Sequence, residues 1–573
     1  MRRSGARDWP YALFLATVAV SFILLSVRLV ELQVVKGDYY RNLSSSNHIR
    51  VVSRPAARGQ IMDRNGVILA DNEPAFMVSI IPSEFDTTTI DLVASELEME
   101  AQQIEEILDQ AASVPHRPVV LKEGMSVDQV SGIAENQYRT PGVIFDIAPL
   151  RRYNRAEDFS HLLGYVGQSD DEEAYHGEVV GRAGLELSLN ETLRGTPGLR
   201  REVVDAHGRV VETFESTESE APVPGRDLRL TLDASLQAIA LEELTATGMP
   251  ASVVILDYTT GEILCAASAP AFDPNQFARG ITSAEWNVLL NDSLNPLFCR
   301  AWAASYPPAS TFKVVTAGWL LSEGLVSPTY MPDPCYGSYT LGGTVFRCWS
   351  THGRLNIVQA LERSCDVFFY RCCQFGTLDG LVAFAARFGL GRPLVSELVG
   401  EKSGSIPGSE DLDALYGVRG WGLGNLLNYS IGQGELLATP LQMAAVAGVI
   451  ASRGSMPVPG IVMGEESEPP LLSGGNLPDA TWDAVSLGMR NVVAAPRGTL
   501  YSVFAGSPLE VWGKTGTAEC PGENHALLIG FVREPRPLAF CVVVEHGGSG
   551  STTAGPVARG ILETWLCGEA GAV

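Results

Sequence analysis

The apolar positions change their rhythm three times along the chain. From Trp9 to Val27 no residue is charged, and an uninterrupted apolar run of about 20 residues is what a helix needs to cross a bilayer. The apolar spacing continues as Val27-Arg28-Leu29-Val30-Glu31-Leu32-Gln33 with no small-x-small cleavage site, so a retained anchor over 9–30 is expected rather than a removed signal peptide. Between 31 and 245 come short alternating runs broken by Gly, Pro and charge. Ala75–Ile81 and Gly142–Phe145 read as strands, Thr88–Ala112 as helical, and Ser216–Gly225 as a loop leading into a strand at Leu228–Leu232 and a helix from Ala234.

Beyond residue 246 the runs become longer and more apolar. Ser252–Leu256 and Glu262–Ala267 flank the turn Asp257–Gly261, and Ala526–Val532 and Leu538–Val544 flank Arg533–Pro537, which predicts two hairpins. Helical stretches, among them Val314–Leu321 and Leu378–Phe388, lie between them. Strands at both ends with helices between predict one antiparallel sheet completed by both ends of a domain, an α+β fold. The expected organisation is a tail at 1–8, an anchor at 9–30, a first domain at 31–245 and a second at 246–573. No internal repeat is visible.

Charge and cysteine refine this picture. Arg2, Arg3 and Arg7 precede the apolar span, so the N-terminus is expected in the cytoplasm and the remainder outside it. A net charge of −25 argues against nucleic acid as a partner. All ten cysteines lie between Cys265 and Cys567, and in an exported chain disulfides are the ordinary explanation.

The candidate chemistry lies in three separated motifs: Ser310-Thr311-Phe312-Lys313, Ser364-Cys365-Asp366 and Lys514-Thr515-Gly516-Thr517. Each is weak alone; in this order they match the signature of penicillin-binding proteins and serine β-lactamases. Ser310 and Lys313 would share one face of a helix begun by Pro307 and Pro308. Burial and a second amine, Lys514, would disfavour the ammonium form of Lys313, letting it take the proton of Ser310.

Further segments extend the likeness: Leu32-Gln33 with Gly37-Asp38-Tyr39-Tyr40, Arg58-Gly59-Gln60-Ile61-Met62-Asp63-Arg64-Asn65-Gly66, Gly181–Glu186, Leu193-Arg194-Gly195, Asp273-Pro274-Asn275, Gly432-Gln433-Gly434 and Thr439-Pro440-Leu441-Gln442. On these the chain resembles class B penicillin-binding proteins, most of all the elongation type. The resemblance implies an elongated α+β pedestal followed by a serine β-lactamase-like transpeptidase domain that cross-links peptidoglycan through a Ser310 acyl-enzyme. It implies stem peptides, lipid-linked nascent glycan and β-lactams as ligands. The implied partners are a membrane glycosyltransferase of the shape, elongation and division family and the scaffold proteins of the elongation complex.

Under it, Ser364 relays a proton to the leaving amine and Lys514 orients it. Thr515 and Thr517 bind the substrate carboxylate, Gly516 lies in that same strand, and the amides of Ser310 and Thr517 form the oxyanion hole. Asp366 stands where Asn is commoner. It is expected to bond substrate amides, lying farther from Lys313 than Ser364 does or being offset by a cation. The pedestal motif Arg58–Gly66 reads as a tight turn with an Arg–Asp pair holding strands together. A D,D-carboxypeptidase, a division-type transpeptidase, a β-lactamase or sensor, and a non-catalytic scaffold that activates a polymerase are the competing readings.

Acyl transfer of this kind needs no cofactor. A structural zinc is nevertheless a candidate, because Asp333, Cys348, His352 and Cys365, with Cys335 close by, combine thiolate, imidazole and carboxylate donors. The resemblance places a metal cluster at these positions in some relatives. A Cys335–Cys348 or Cys348–Cys365 disulfide and free thiols remain the alternatives.

Overall fold

The computed structural model describes residues 9–36 and 49–569, apart from 114, 116–117, 126–129, 132–133, 136, 170, 172–177, 205–209, 215–219, 465–470 and 476. Arg2, Arg3, Arg7, the Gly37–Tyr40 motif and the first part of the Ser216–Gly225 loop lie outside the described residues. Helix α1 (Trp9–Val30) runs on into a wider turn at Glu31–Val35. Within it, Tyr11–Val35 is, among the described residues, the one segment long and apolar enough to cross a membrane, with mean hydropathy 2.4.

The first domain is built on a long strand. β1 (Ile49–Arg54) is followed by β2 (Ile61–Met62) and β3 (Ile68–Ile80). The helical stretch expected over 88–112 is two helices, α2 (Ile90–Leu97) and α3 (Ala101–Gln110). Glu98 ends α2 in the left-handed region at φ 51°, and a reciprocal Glu100–Gln103 capping box starts α3. β4 (Val119–Met125) pairs with the end of β3, and β5 (Val143–Tyr153) lies along it from Ala70↔Tyr153 to Ile80↔Val143. β6 (Gly198–Val204) and β7 (Val210–Phe214) form a separate antiparallel sheet with β1. The strand expected at 228–232 shrinks to β8 (Leu228–Arg229), which runs parallel to β2.

Asp233 caps α4 (Ala234–Thr245), accepting from the amides of Ser235 and Leu236. This helix was expected to close the first domain. Instead its Leu236, Ala240 and Leu244 share an apolar core with Leu562 and Trp565 of the last helix and with the second sheet. That sheet contains β9 (Ala251–Asp257), β10 (Ile263–Ala269), β11 (Val511–Ala518), β12 (His525–Val532) and β13 (Leu538–Val544), in the order β10-β9-β13-β12-β11 and antiparallel throughout. Both expected hairpins form, and the strand from the start of the domain joins the strands from its end as anticipated.

Between the hairpins lie α5 (Lys313–Ser322), α6 (Asp366–Cys372), α7 (Pro440–Ala451) and α8 (Asp479–Ala494), and α9 (Gly555–Glu569) closes the chain. Every residue of α7 is buried; a helix apolar on all sides fits only inside a layered domain. The Thr439-Pro440-Leu441-Gln442 motif has a local cause. Thr439 and Gln442 form a capping box and Pro440 takes the first helical position, where its missing N–H costs nothing.

The pedestal motif is held differently from the expected Arg–Asp pair. Asp63 closes its own turn, accepting from the amides of Asn65 (2.8 Å) and Val67 (2.7 Å), and its other oxygen accepts from the Ala234 amide (3.1 Å) at the start of α4. Arg58 instead reaches Glu186 (2.7 Å), which Arg151 meets from the other side (2.6 Å).

Candidate active site

Ser310 lies in a tight helical turn, Ala309–Phe312, that leads directly into α5. The turn is strained, with Ala309 in the left-handed region at φ 49°. Its amide donates to the Gly432 carbonyl at 2.7 Å. A Cβ on Gly432, itself at φ +76°, would stand 2.1 Å from the Ala309 carbonyl oxygen. Only glycine permits this approach, which explains the Gly432-Gln433-Gly434 segment physically.

One unbroken chain of polar contacts runs through the site. Lys313 Nζ lies 2.9 Å from Ser310 Oγ and 3.3 Å from Ser364 Oγ, and Lys514 Nζ lies 2.9 Å from the same Ser364 oxygen. Ser364, at φ 51°, is a second strained residue. Both amines are fully buried, at 0% exposure. Each also donates to a carbonyl: Lys313 to Ser364 O at 3.1 Å and Lys514 to Thr515 O at 2.9 Å.

Asp366 departs from its expected place. It begins α6 and meets Lys313 Nζ at 2.5 Å, closer than Ser364 Oγ does, so an ion pair replaces the anticipated separation. Burial raises its carboxyl above the usual range, and the Lys313 ammonium opposes that rise. Lys514 is held well below an ordinary lysine, by burial first and then by the Lys313 ammonium.

The Lys-Thr-Gly strand is β11, at the edge of the sheet beside the Ser310 turn. A Cβ on Gly516 would sit 3.0 Å from Thr311 Cγ2 and 3.3 Å from Pro308 O, so glycine lets strand and turn touch. Thr517 is exposed, and its carbonyl accepts from Gln433 Nε2 at 3.4 Å. Thr515 shares a hydroxyl contact with Thr499 at 2.8 Å. Neither Gln433 nor Thr499 carries a spacing signal of its own, although Gln433 lies inside the Gly432-Gln433-Gly434 segment.

The metal candidates need one correction. Cys348, His352 and Cys365 do converge, but their fourth neighbour is Cys335, all donor atoms lying within 4.8 Å of one another. Asp333 sits apart, three-quarters exposed and paired with Arg371 at 3.5 Å. His352 Nδ1 lies 3.4 Å from Cys348 Sγ and 3.7 Å from Cys335 Sγ. All ten cysteines are free thiols, so neither candidate disulfide is formed. Hydrogen bonds from Cys365 and His352 favour a thiolate on Cys348, while that contact and burial hold Cys365 protonated. The cluster adjoins the Ser364 loop directly. Cys365 separates Ser364 from Asp366, and Trp349 Nε1 donates to the Ser364 carbonyl at 3.2 Å.

Comparison with known proteins agrees with this arrangement. Residues 251–563 match the family described as penicillin binding protein transpeptidase domain, and 53–230 the penicillin-binding protein dimerisation domain. The peptidoglycan D,D-transpeptidase MrdA of Escherichia coli K12 is 31% identical over 97% of this chain and 95% of its own length. The Helicobacter pylori penicillin-binding protein (PBP2), solved in complex with MreC, superposes with a TM-score of 0.80 at 27% identity, covering 92% of this chain and all of that one. A structure described as a peptidoglycan synthase complex coordinating polymerization and crosslinking gives 0.71 at 29% identity, covering 98% of this chain and 99% of its own.

Proposed function

This chain belongs to the penicillin-binding protein transpeptidase family, and on that premise we propose that Ser310 is the nucleophile of its acyl transfer. The activity is that of a peptidoglycan D,D-transpeptidase, a serine-type acyltransferase that binds β-lactams. The contact chain Ser310–Lys313–Ser364–Lys514 carries the assignment of roles.

Ser310 Oγ attacks the carbonyl between the two terminal D-alanines. Its proton passes to Lys313 as Lys313 releases one through Ser364 to Lys514. Asp366 pairs with Lys313, and burial disfavours the charged form of Lys514, which makes Lys514 the acceptor at the end of the path. The carbonyl electrons move onto oxygen, facing the amides of Ser310 and Thr517, where losing one donor costs a few kcal/mol. The C–N bond then breaks and Ser364 returns a proton to the departing amine. The amine of a neighbouring stem attacks the ester and the same path runs in reverse. Thr515, Gly516 and Thr517 line the strand beside which the peptide lies.

The likeness to MrdA and to PBP2 structures supports an elongation role, with a polymerase of the shape, elongation and division family and the elongation scaffold as partners. We place the domain join before α4, since that helix packs with the catalytic sheet. The arginines ahead of α1 support a cytoplasmic N-terminus with the catalytic domain outside.

The Cys335, Cys348, His352 and Cys365 donors suit one zinc. Zn–S near 2.3 Å and Zn–N near 2.0–2.1 Å in a tetrahedron put sulfur and nitrogen about 3.6 Å apart, and the two measured separations are 3.4 and 3.7 Å. Four protein donors make such a site structural, and these would hold the Ser364 loop in place. Metal analysis should find one zinc released on Cys348→Ser.

The direct test incubates the whole chain with a fluorescent penicillin and weighs the intact protein. One durable adduct, absent in Ser310→Ala, is expected. No adduct would favour a scaffold, rapid loss of adduct a β-lactamase, and labelling that persists in Ser310→Ala would remove the assignment.

A further inference from the structure

A second group of soft donors converges outside the catalytic contact chain, at the end of the substrate strand. Cys520 lies in the turn just beyond β11, and His525 opens β12 opposite Ala518. His546 lies just beyond Val544, the last residue of β13, which pairs with Ala526. Strand register alone therefore brings three residues from two connections to one corner of the sheet.

Cys520 Sγ stands 3.9 Å from His525 Nδ1 and 3.8 Å from His546 Nδ1, with all three donor atoms within 4.8 Å of one another. The imidazoles meet edge to face, their centroids 4.9 Å apart. Tetrahedral zinc asks for sulfur–nitrogen separations of about 3.6 Å, so a closure of a few tenths of an ångström would complete the geometry.

The simpler reading is a turn stapled by its own polar groups. Cys520 Sγ and His546 Nδ1 both donate to the Glu523 carbonyl (3.0 and 2.9 Å), and the His546 amide donates to His525 Nδ1 (3.1 Å). These bonds hold the donors in position, yet a turn needs neither a thiol nor two imidazoles to make them. One thiolate and two imidazoles form a borderline-soft set, and three protein ligands leave the fourth position to water.

We propose that Cys520, His525 and His546 form a three-ligand site for a zinc-class divalent ion, separate from the buried Cys335 cluster. On binding, the Cys520 thiol loses its proton to solvent and the His546 proton moves from Nδ1 to Nε2. The Glu523 carbonyl then gives up both donors, and His525 Nδ1 exchanges an amide for the metal. The ion would tie the turn after Thr517 to the end of β13. There Glu545 accepts from the Tyr306 hydroxyl at 2.7 Å, and the Tyr306 ring stands 5.5 Å from that of His525. Tyr306 leads into the nucleophile turn, so the site would act as a positioning element for the carboxylate end of the cleft.

The test strips the full chain of metal, adds zinc chloride or magnesium chloride, and follows iodoacetamide modification of each cysteine by peptide mass spectrometry. Zinc, and not magnesium, should slow alkylation of Cys520 by about tenfold or more. That protection should vanish in His546→Ala and in His525→Ala. Peptides carrying Cys335, Cys348 and Cys365 report the other cluster separately, so either site can fail alone. A second readout guards against misfolded histidine variants: Cys520→Ser should bind one cobalt ion fewer than the parent chain. Unchanged Cys520 reactivity with zinc, or equal cobalt binding by the parent and Cys520→Ser, overturns the proposal.

Discussion

Two buried clusters in this chain are built alike, two basic side chains around one carboxylate, and put that plan to opposite uses. In the pedestal, Arg58 and Arg151 grip the two oxygens of Glu186 at 2.7 and 2.6 Å. In the catalytic domain, Lys313 meets Asp366 at 2.5 Å while Lys514 stands off, joined only through Ser364. Guanidinium keeps its proton at any physiological pH, whereas a buried lysine readily gives one up. The arginine cluster is therefore a fixed joint, and the lysine cluster a place where a proton can move.

A glycine guards each one. A Cβ on Gly59 would stand 2.0 Å from the Arg226 carbonyl, and one on Gly432 2.1 Å from that of Ala309. The difference between the clusters lies in cation chemistry, not in how tightly the backbone is packed around them.

Substitutions that exchange these properties should break the comparison. Lys313→Arg keeps the charge beside Asp366 but removes proton exchange, so acylation by a β-lactam should fall by about 10²–10⁴-fold, read from the rate of label incorporation. Glu186→Ala leaves two guanidinium groups buried without their carboxylate. It should cost about 3–5 kcal/mol of stability, measured by denaturant unfolding, while the folded fraction still acylates at the parent rate.

The two glycines sharpen the contrast further. Gly432→Ala and Gly59→Ala should each cost about 1–3 kcal/mol through overpacking, but only Gly432→Ala should also slow acylation, because it displaces the Ser310 turn. A comparison of acylation rate with unfolding midpoint separates the two.

The most gradual effect concerns pH. Burial pushes the Glu123 carboxyl up to about 7. Between the ordinary glutamate value near 4.3 and about 7, the folded chain holds this proton while the unfolded chain has lost it. Stability should therefore fall as pH rises through that window, by at most about 1.4 kcal/mol per pH unit, and this contribution should level off above it. Glu123→Gln should remove that slope from a series of unfolding curves.

Much of the architecture was legible in the chain because apolar runs and turns are local signals. The hairpins at Ser252–Ala267 and Ala526–Val544, the helix from Ala234 and the apolar span at the start needed only neighbouring residues. Ser310, Lys313, Ser364 and Lys514 could be brought into one set because their motifs occur in a known order. What depended on direction in space was not legible. Spacing could not show that Cys335 rather than Asp333 faces His352, since Arg371 draws Asp333 away. Nor could it show that Arg58 bypasses nearby Asp63 for Glu186, or that Asp366 turns toward Lys313. The break at Glu98 was hidden because glutamate is a good helix former, and only the capping pair Glu100–Gln103 betrays a new start.

Proton transfer to Lys514 is the step on which the relay depends, and the acylation rate of Ser310 as a function of pH tests it most directly, in the parent chain and in Lys514→Arg. The parent rate should fall in acid as Lys514 becomes charged, with the limb well below the ordinary lysine value near 10.4, and Lys514→Arg should be slow at every pH. A folded Lys514→Arg chain that acylates as fast as the parent would show that a fixed positive charge suffices there, and would contradict the proton path.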